Sequence, residues 1–213
     1  MRQQELRCIH RHSPDTHPNC FKKGLIKRED WWRNKTIAYF DIETSGFDAN
    51  TGYMLSWCIK YRDQARVREA TITREEILNY EFDRRIVEEL VEEMKNIDIL
   101  VTFWGTGFDN KYSRSRAVFY GLDFPEFGTI YHWDLFYYAK RIFKLSRKSL
   151  AVVCAFFGIE GKNHVDLKIW MLAKHGHKKS LKYVIDHNRE DVKILQELHD
   201  KMWPYAKWIR KSI

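Results

Sequence analysis

The chain has 213 residues, 44% hydrophobic and 15% aromatic, with only 4 Pro and 10 Gly. That is enough apolar matter to bury a sizeable core and too little Gly and Pro for a collagen-like or linker protein. Lys and Arg number 37 against 29 Asp and Glu, a formal charge of +8, which favours an anionic partner, nucleic acid first. No stretch approaches the roughly 18 uninterrupted apolar residues of a membrane span. Arg2, Arg7, His10, Arg11 and His12 leave no apolar signal-peptide core at the start, so the expectation is a cytoplasmic protein without membrane association.

Residues 1–34 form a polar, basic arm. Residues 1–35 hold nine Lys or Arg against four Asp or Glu. Within the arm Cys8, His10, His12, His17 and Cys20 place five metal-ligating side chains in thirteen residues, and four of the five would satisfy tetrahedral Zn²⁺. An arm with so little apolar content has little to fold around, so a metal would supply the missing stability. The alternative is a basic arm whose histidines are incidental. Cys58 and Cys154 lie inside apolar patterns instead, and read as small buried hydrophobes.

Residues 35–213 form the main domain. Thr36 to Ile42 is β-branched and aromatic, and Met54 to Arg62 and Arg66 to Ile72 alternate, which predicts a three-strand meander turning first at Gly46 and Gly52. Thr73 and Glu76 make a capping-box pattern, and Ile86, Leu90, Val91 and Met94 carry helical spacing on to a fourth strand at Ile97 to Trp104. Helices are then expected over Asn110 to Phe119, Asp134 to Phe143 and Ser149 to Phe157, with a short strand near Ile130 to Trp133. A last helix begins near Ser180 and ends or kinks at Pro204. A meander followed by alternating helix and strand indicates an α/β domain with a mixed sheet flanked by helices.

The end of the first strand carries Asp41 and Glu43, which a period of two projects onto one face. Two acids one pleat apart repel unless a cation neutralises them, and an oxygen-rich cluster suits Mg²⁺ or Mn²⁺. Phe103-Trp-Gly-Thr-Gly-Phe-Asp109 follows the fourth strand as a tight turn that anchors Phe108 and projects Asp109. On the last helix His187 and Asp191 stand four apart, on one face.

These residues resemble the DEDD exonucleases, the DnaQ-like branch of the ribonuclease H-like superfamily. The likeness runs through Phe40-Asp41-Ile-Glu43-Thr44, Gly105-Thr-Gly-Phe-Asp109 and His187-Asn-Arg-Glu-Asp191-Val192. The chain is most similar to a predicted-exonuclease subgroup of bacteria and phages, over roughly Ile37 to Leu198. The resemblance implies a ribonuclease H-like fold with a five-stranded sheet. It also implies a 3′-to-5′ exonuclease hydrolysing DNA or RNA, at single-stranded or frayed 3′ ends, by a two-metal-ion mechanism with Mg²⁺ or Mn²⁺. Asp41 would bridge both ions, Glu43 and Asp191 would complete the first and Asp109 would help hold the second. His187 would orient and deprotonate the attacking water. The family usually places Tyr four residues before the last Asp or His five before it, whereas His187 stands four before Asp191.

For substrate contacts the candidates are Thr44 at the terminal sugar, Phe108 and Tyr112 as base-stacking aromatics, and Lys111, Arg114 and Arg116 along the phosphates. A second basic run, Lys140 to Lys148 with Arg147, has no acid between Leu135 and Ile159 and would extend that groove. Two other readings compete with the exonuclease: a structure-selective endonuclease or resolvase on the same scaffold, and a non-catalytic zinc-containing nucleic-acid-binding module.

Overall fold

The computed structural model describes residues 35–126, 128–160 and 166–205, together with Asn19. The architecture below belongs to the second of the two units into which the chain divides, Ile37–Ile213. The arm with Cys8, His10, His12, His17 and Cys20 lies outside the described residues.

Three β-rich segments form the meander: β1 (Ile37–Thr44), β2 (Met54–Tyr61) and β3 (Val67–Thr71). Two more strands, β4 (Ile99–Thr102) and β5 (Tyr131–Asp134), add on the other side of β1, giving the order β3-β2-β1-β4-β5. The β1–β2 and β2–β3 pairs are antiparallel, and β1–β4 and β4–β5 are parallel, so the sheet is mixed. A mixed five-stranded sheet is what the resemblance to the ribonuclease H-like fold implies.

β1 is central and buried on both faces, so its alternation separates two packing environments. Phe40 and Ile42 pair with Ile59 and Trp57 of β2, and the Trp57 indole donates to the Ile86 carbonyl at 2.7 Å. That face is covered by helix α2 (Arg84–Met94) through Ile86, Val87, Leu90 and Met94, all buried. The opposite face carries Tyr39, Asp41 and Glu43, and across it lies the long helix α7 (Lys178–Met202). Tyr39 Oη lies 2.9 Å from His199 Nδ1, and the Asn188 amide donates to Ser56 Oγ at 3.2 Å. Ser56 is the register partner of Glu43, so α7 is pinned along the acid-bearing face of β1.

The other elements are α1 (Arg74–Leu78), α3 (Asp109–Phe119), α4 (Leu135–Ile142), α5 (Leu150–Phe156) and α6 (Leu167–Lys174). Thr73 and Glu76 form the expected capping box, each side chain meeting the other's backbone N–H. Gly158 follows α5 at φ +66°, a left-handed conformation that favours glycine.

Three expectations are corrected. The one helix expected between the third and fourth strands, from the Thr73–Glu76 cap through Met94, is two, because Tyr80 and Phe82 adopt φ of 60° and 51° and the break turns Phe82 onto Tyr53, ring centroids 5.1 Å apart. Helix α6 was not anticipated; Asp166 caps it by accepting from Lys168 N at 3.0 Å. Strand β4 stops at Thr102, two residues short, because Trp104 takes φ +68° and starts the next turn. Among the described residues no helix is long and apolar enough to cross a membrane.

Candidate active site

Glu43 leaves the end of β1 toward α7. There His187 Nε2 stands 4.0 Å from Glu43 Oε1 and 3.6 Å from Asp191 Oδ2. One ligand atom from each of the three lies within 4.8 Å of the others. Helical geometry accounts for half of this arrangement, since residues i and i+4 lie on one face. The Asn188–Ser56 bond accounts for the rest by fixing where that face meets β1. The imidazole is held edge-on by Trp170 of α6, with ring centroids 6.1 Å apart and planes at 86°. Asp41 sits two residues before Glu43 and faces the same way.

Asp109 enters from another element. It is the first residue of α3, is buried, and its Oδ1 accepts from Ile42 N at 3.3 Å, between Asp41 and Glu43. Burial raises its pKa to about 7, aided by the negative charge of Asp134 and Asp191 and opposed by backbone hydrogen bonds from its own N–H and that of Ile42. Among the described residues no Lys or Arg makes an ion pair with it.

The turn that aims Asp109 is built with little slack. A Cβ on Gly105 would sit 2.4 Å from Thr102 Oγ1, and one on Gly107 would sit 2.5 Å from the Trp104 indole. Asp134, at the end of β5 beside Thr102, accepts from Trp104 N at 2.8 Å, Thr106 N at 3.0 Å and Phe136 N at 3.1 Å. Its buried carboxylate thus ties the turn before Asp109 to the start of α4. The sequence reading missed Asp134, although it too ends an apolar strand, the signal that singled out Asp41. It also missed Trp104, whose indole is 48% exposed and stacks on Phe108 with planes 7° apart. Phe47, 90% exposed, packs edge-to-face with Phe108.

Several substrate candidates are corrected. Tyr112 is buried on the inner side of α3 and cannot stack on a base. Thr44 is buried, and its hydroxyl donates to the Gly46 carbonyl at 2.8 Å, closing the turn after β1. Arg116 is not on the surface: it forms a buried pair with Asp83, Nη2 to Oδ1 2.6 Å. Lys111, Arg114 and Arg147 are exposed, with Arg114 over the Phe124 ring, and Lys148 donates to the Leu145 carbonyl at 2.6 Å.

The donor set fits a divalent cation. Carboxylates of Glu43 and Asp191 converge with an imidazole, Asp41 and Asp109 flank them, and burial together with the charge of Asp134 and Asp191 holds the Asp109 carboxyl at a raised pKa. A family model described as RNase_H superfamily matches residues 38–203, and the chain belongs to that superfamily. Membership supports a nuclease acting on nucleic acid. Among solved structures the chain is similar to a family B DNA polymerase from the hyperthermophilic archaeon Pyrobaculum calidifontis, with a TM-score of 0.66 and 18% identity. The match covers 81% of this chain and 25% of the polymerase chain, and at that identity it speaks for the fold. No curated protein matches the sequence.

Proposed function

We propose that this protein is a metal-dependent nuclease of the DEDD, DnaQ-like type, a 3′-to-5′ exonuclease hydrolysing phosphodiester bonds of DNA or RNA. The observation that carries the reading is the convergence of Glu43, His187 and Asp191 within 4.8 Å, in a chain of the RNase_H superfamily. Asp41, Glu43, Asp109 and Asp191 would hold two divalent ions, Mg²⁺ or Mn²⁺, which when bound supply an activated water and offset charge developing at phosphorus.

The chain's own groups do the remaining work. Asp134 holds the turn that presents Asp109. Phe108, Trp104 and Phe47 line up as an aromatic surface beside that acid, suited to stacking unpaired bases without reading sequence. Lys111, Arg114 and Arg147 offer phosphate contacts, with the salt dependence that such contacts bring. The arm residues Cys8, His10, His12, His17 and Cys20 are proposed to hold one structural zinc with four of the five, and elemental analysis of protein purified without chelator should return about one zinc per chain.

The test is cleavage of matched linear and circular single strands of DNA and RNA, 5′-labelled where linear, with and without Mg²⁺ or Mn²⁺. A ladder shortening from the 3′ end, intact circles and no activity without metal are expected. Cut circles would replace the exonuclease with an endonuclease, and inertness on every substrate would overturn the nuclease reading.

A further inference from the structure

We infer that His187 is a metal ligand and that the site therefore selects a first-row transition ion, Mn²⁺ among them, over Mg²⁺. This rests on the proposed metal-dependent nuclease and deepens it by naming a nitrogen donor in the cation site.

Two atoms bound to one divalent ion at about 2.1 Å each lie roughly 3 to 4.2 Å apart, from adjacent to opposite positions. His187 Nε2 is 3.6 Å from Asp191 Oδ2 and 4.0 Å from Glu43 Oε1, so both separations fall inside that range with no side chain moved. A general base has a different requirement: it must stand back by the width of the water it deprotonates, about 2.6 to 3.2 Å from that oxygen. Here the imidazole nitrogen lies within 4.0 Å of one oxygen from each of two carboxylates.

The spacing to Asp191 is set by one turn of α7, Trp170 lies edge-on to the imidazole, and the neighbouring Asn188 anchors the helix to Ser56 opposite Glu43. One imidazole and two carboxylates make a mixed nitrogen and oxygen set. Mg²⁺ prefers oxygen ligands in a strict octahedron and gives up water reluctantly, whereas imidazole suits Fe²⁺, Ni²⁺ and Zn²⁺, and Mn²⁺, the weakest-binding first-row ion of that series, shares the oxygen preference of Mg²⁺ without its strict geometry. Replacing an oxygen donor by His187 therefore costs Mg²⁺ more than it costs Mn²⁺.

The experiment loads the metal-free full-length chain with Mn²⁺ and reads pulsed electron paramagnetic resonance for ¹⁴N coupling, beside calorimetric Kd values for Mn²⁺ and Mg²⁺. In the wild type a coordinated-imidazole coupling is expected, and His187→Gln should abolish it. That variant should weaken Mn²⁺ by about tenfold or more, the size of loss seen when even an outer-shell partner is removed, and should change Mg²⁺ by less than about threefold. Mn²⁺ held at the acids without ¹⁴N coupling, coupling that survives His187→Gln, or Mn²⁺ and Mg²⁺ weakened alike would overturn the inference. Mn²⁺ binding unaffected by Asp191→Asn is a separate result, and would remove the acid site on which the inference stands.

Discussion

Asp83 and Asp109 are both buried aspartates, and the protein treats them in opposite ways. Asp83 is fully enclosed and surrounded by donors: Arg116 Nη2 at 2.6 Å and Nε at 2.9 Å, Met54 N at 2.7 Å and Tyr120 Oη at 2.7 Å. Arg116 also donates to the Ala49 carbonyl at 2.9 Å, so the pair fastens the β1–β2 loop to α3. The Tyr120 phenol is pushed up to about 12 by burial and by the Asp83 charge. Among the described residues, Asp109 receives only backbone N–H groups, its own and, at 3.3 Å, that of Ile42, and the company of further acids. The first arrangement is complete within the chain and serves structure. The second is electrostatically incomplete, which is the mark of a site built for a cation that arrives from outside.

The sharpest way to break the contrast is to remove each acid's compensation in turn. Arg116→Met strands a fully buried carboxylate, and should cost about 3–5 kcal/mol in urea unfolding. Asp83→Asn combined with Arg116→Met should recover part of that loss, since no unpaired charge is then left behind.

Asp109→Asn should do the reverse to the metal-free protein. A carboxyl whose folded pKa is about 7, against an ordinary value near 3.9, binds its proton more tightly in the folded state. Stability is then fully present below about pH 4 and is lost as pH rises toward 7, by roughly 3 kcal/mol over that window. Asp109→Asn removes the titrating group, so above pH 7 the metal-free variant should be more stable than wild type while its nuclease activity is abolished. Denaturant unfolding from pH 4 to 8 checks the sign, and a wild type that gains stability across the window would show that Asp109 is compensated after all.

A smaller effect is expected at the aromatic surface. Trp104→Gly suits the left-handed backbone at that position, φ +68°, so the fold should tolerate it. The loss of one stacking ring should weaken single-strand binding by about 1–3 kcal/mol, seen as a raised KM with kcat little changed.

The same two acids show what could be read from the sequence and what could not. Asp41 and Glu43 on one strand face, and His187 and Asp191 on one helix face, follow from local periodicity alone, as do the β-meander and the Thr73–Glu76 capping box. Asp83 and Arg116 could not be paired, because their partnership joins residues 33 apart through tertiary packing, and Arg116 following a site motif reads naturally as a phosphate contact. Tyr112 and Thr44 were misplaced for a related reason. α3 has no strong apolar stripe to reveal which side is inward, so Tyr112 could not be seen to face the core, and the Thr44 hydroxyl is consumed by a turn two residues on. Asp134 escaped because, beyond capping its own helix through Phe136 N, it accepts from two backbone N–H groups, of Trp104 and Thr106, about thirty residues away, and backbone partners leave no trace in residue type.

The central claim, that the acid cluster is completed by an external cation, is tested most directly by thermal unfolding of the metal-free protein at pH 8 during titration with Mn²⁺. At a hundredfold excess over Kd the wild type should gain about 2.7 kcal/mol and a correspondingly higher Tm, and Asp109→Asn and Asp191→Asn should each lose most of that gain. A wild type whose Tm does not move at millimolar Mn²⁺, or variants that gain as much as wild type, would contradict it.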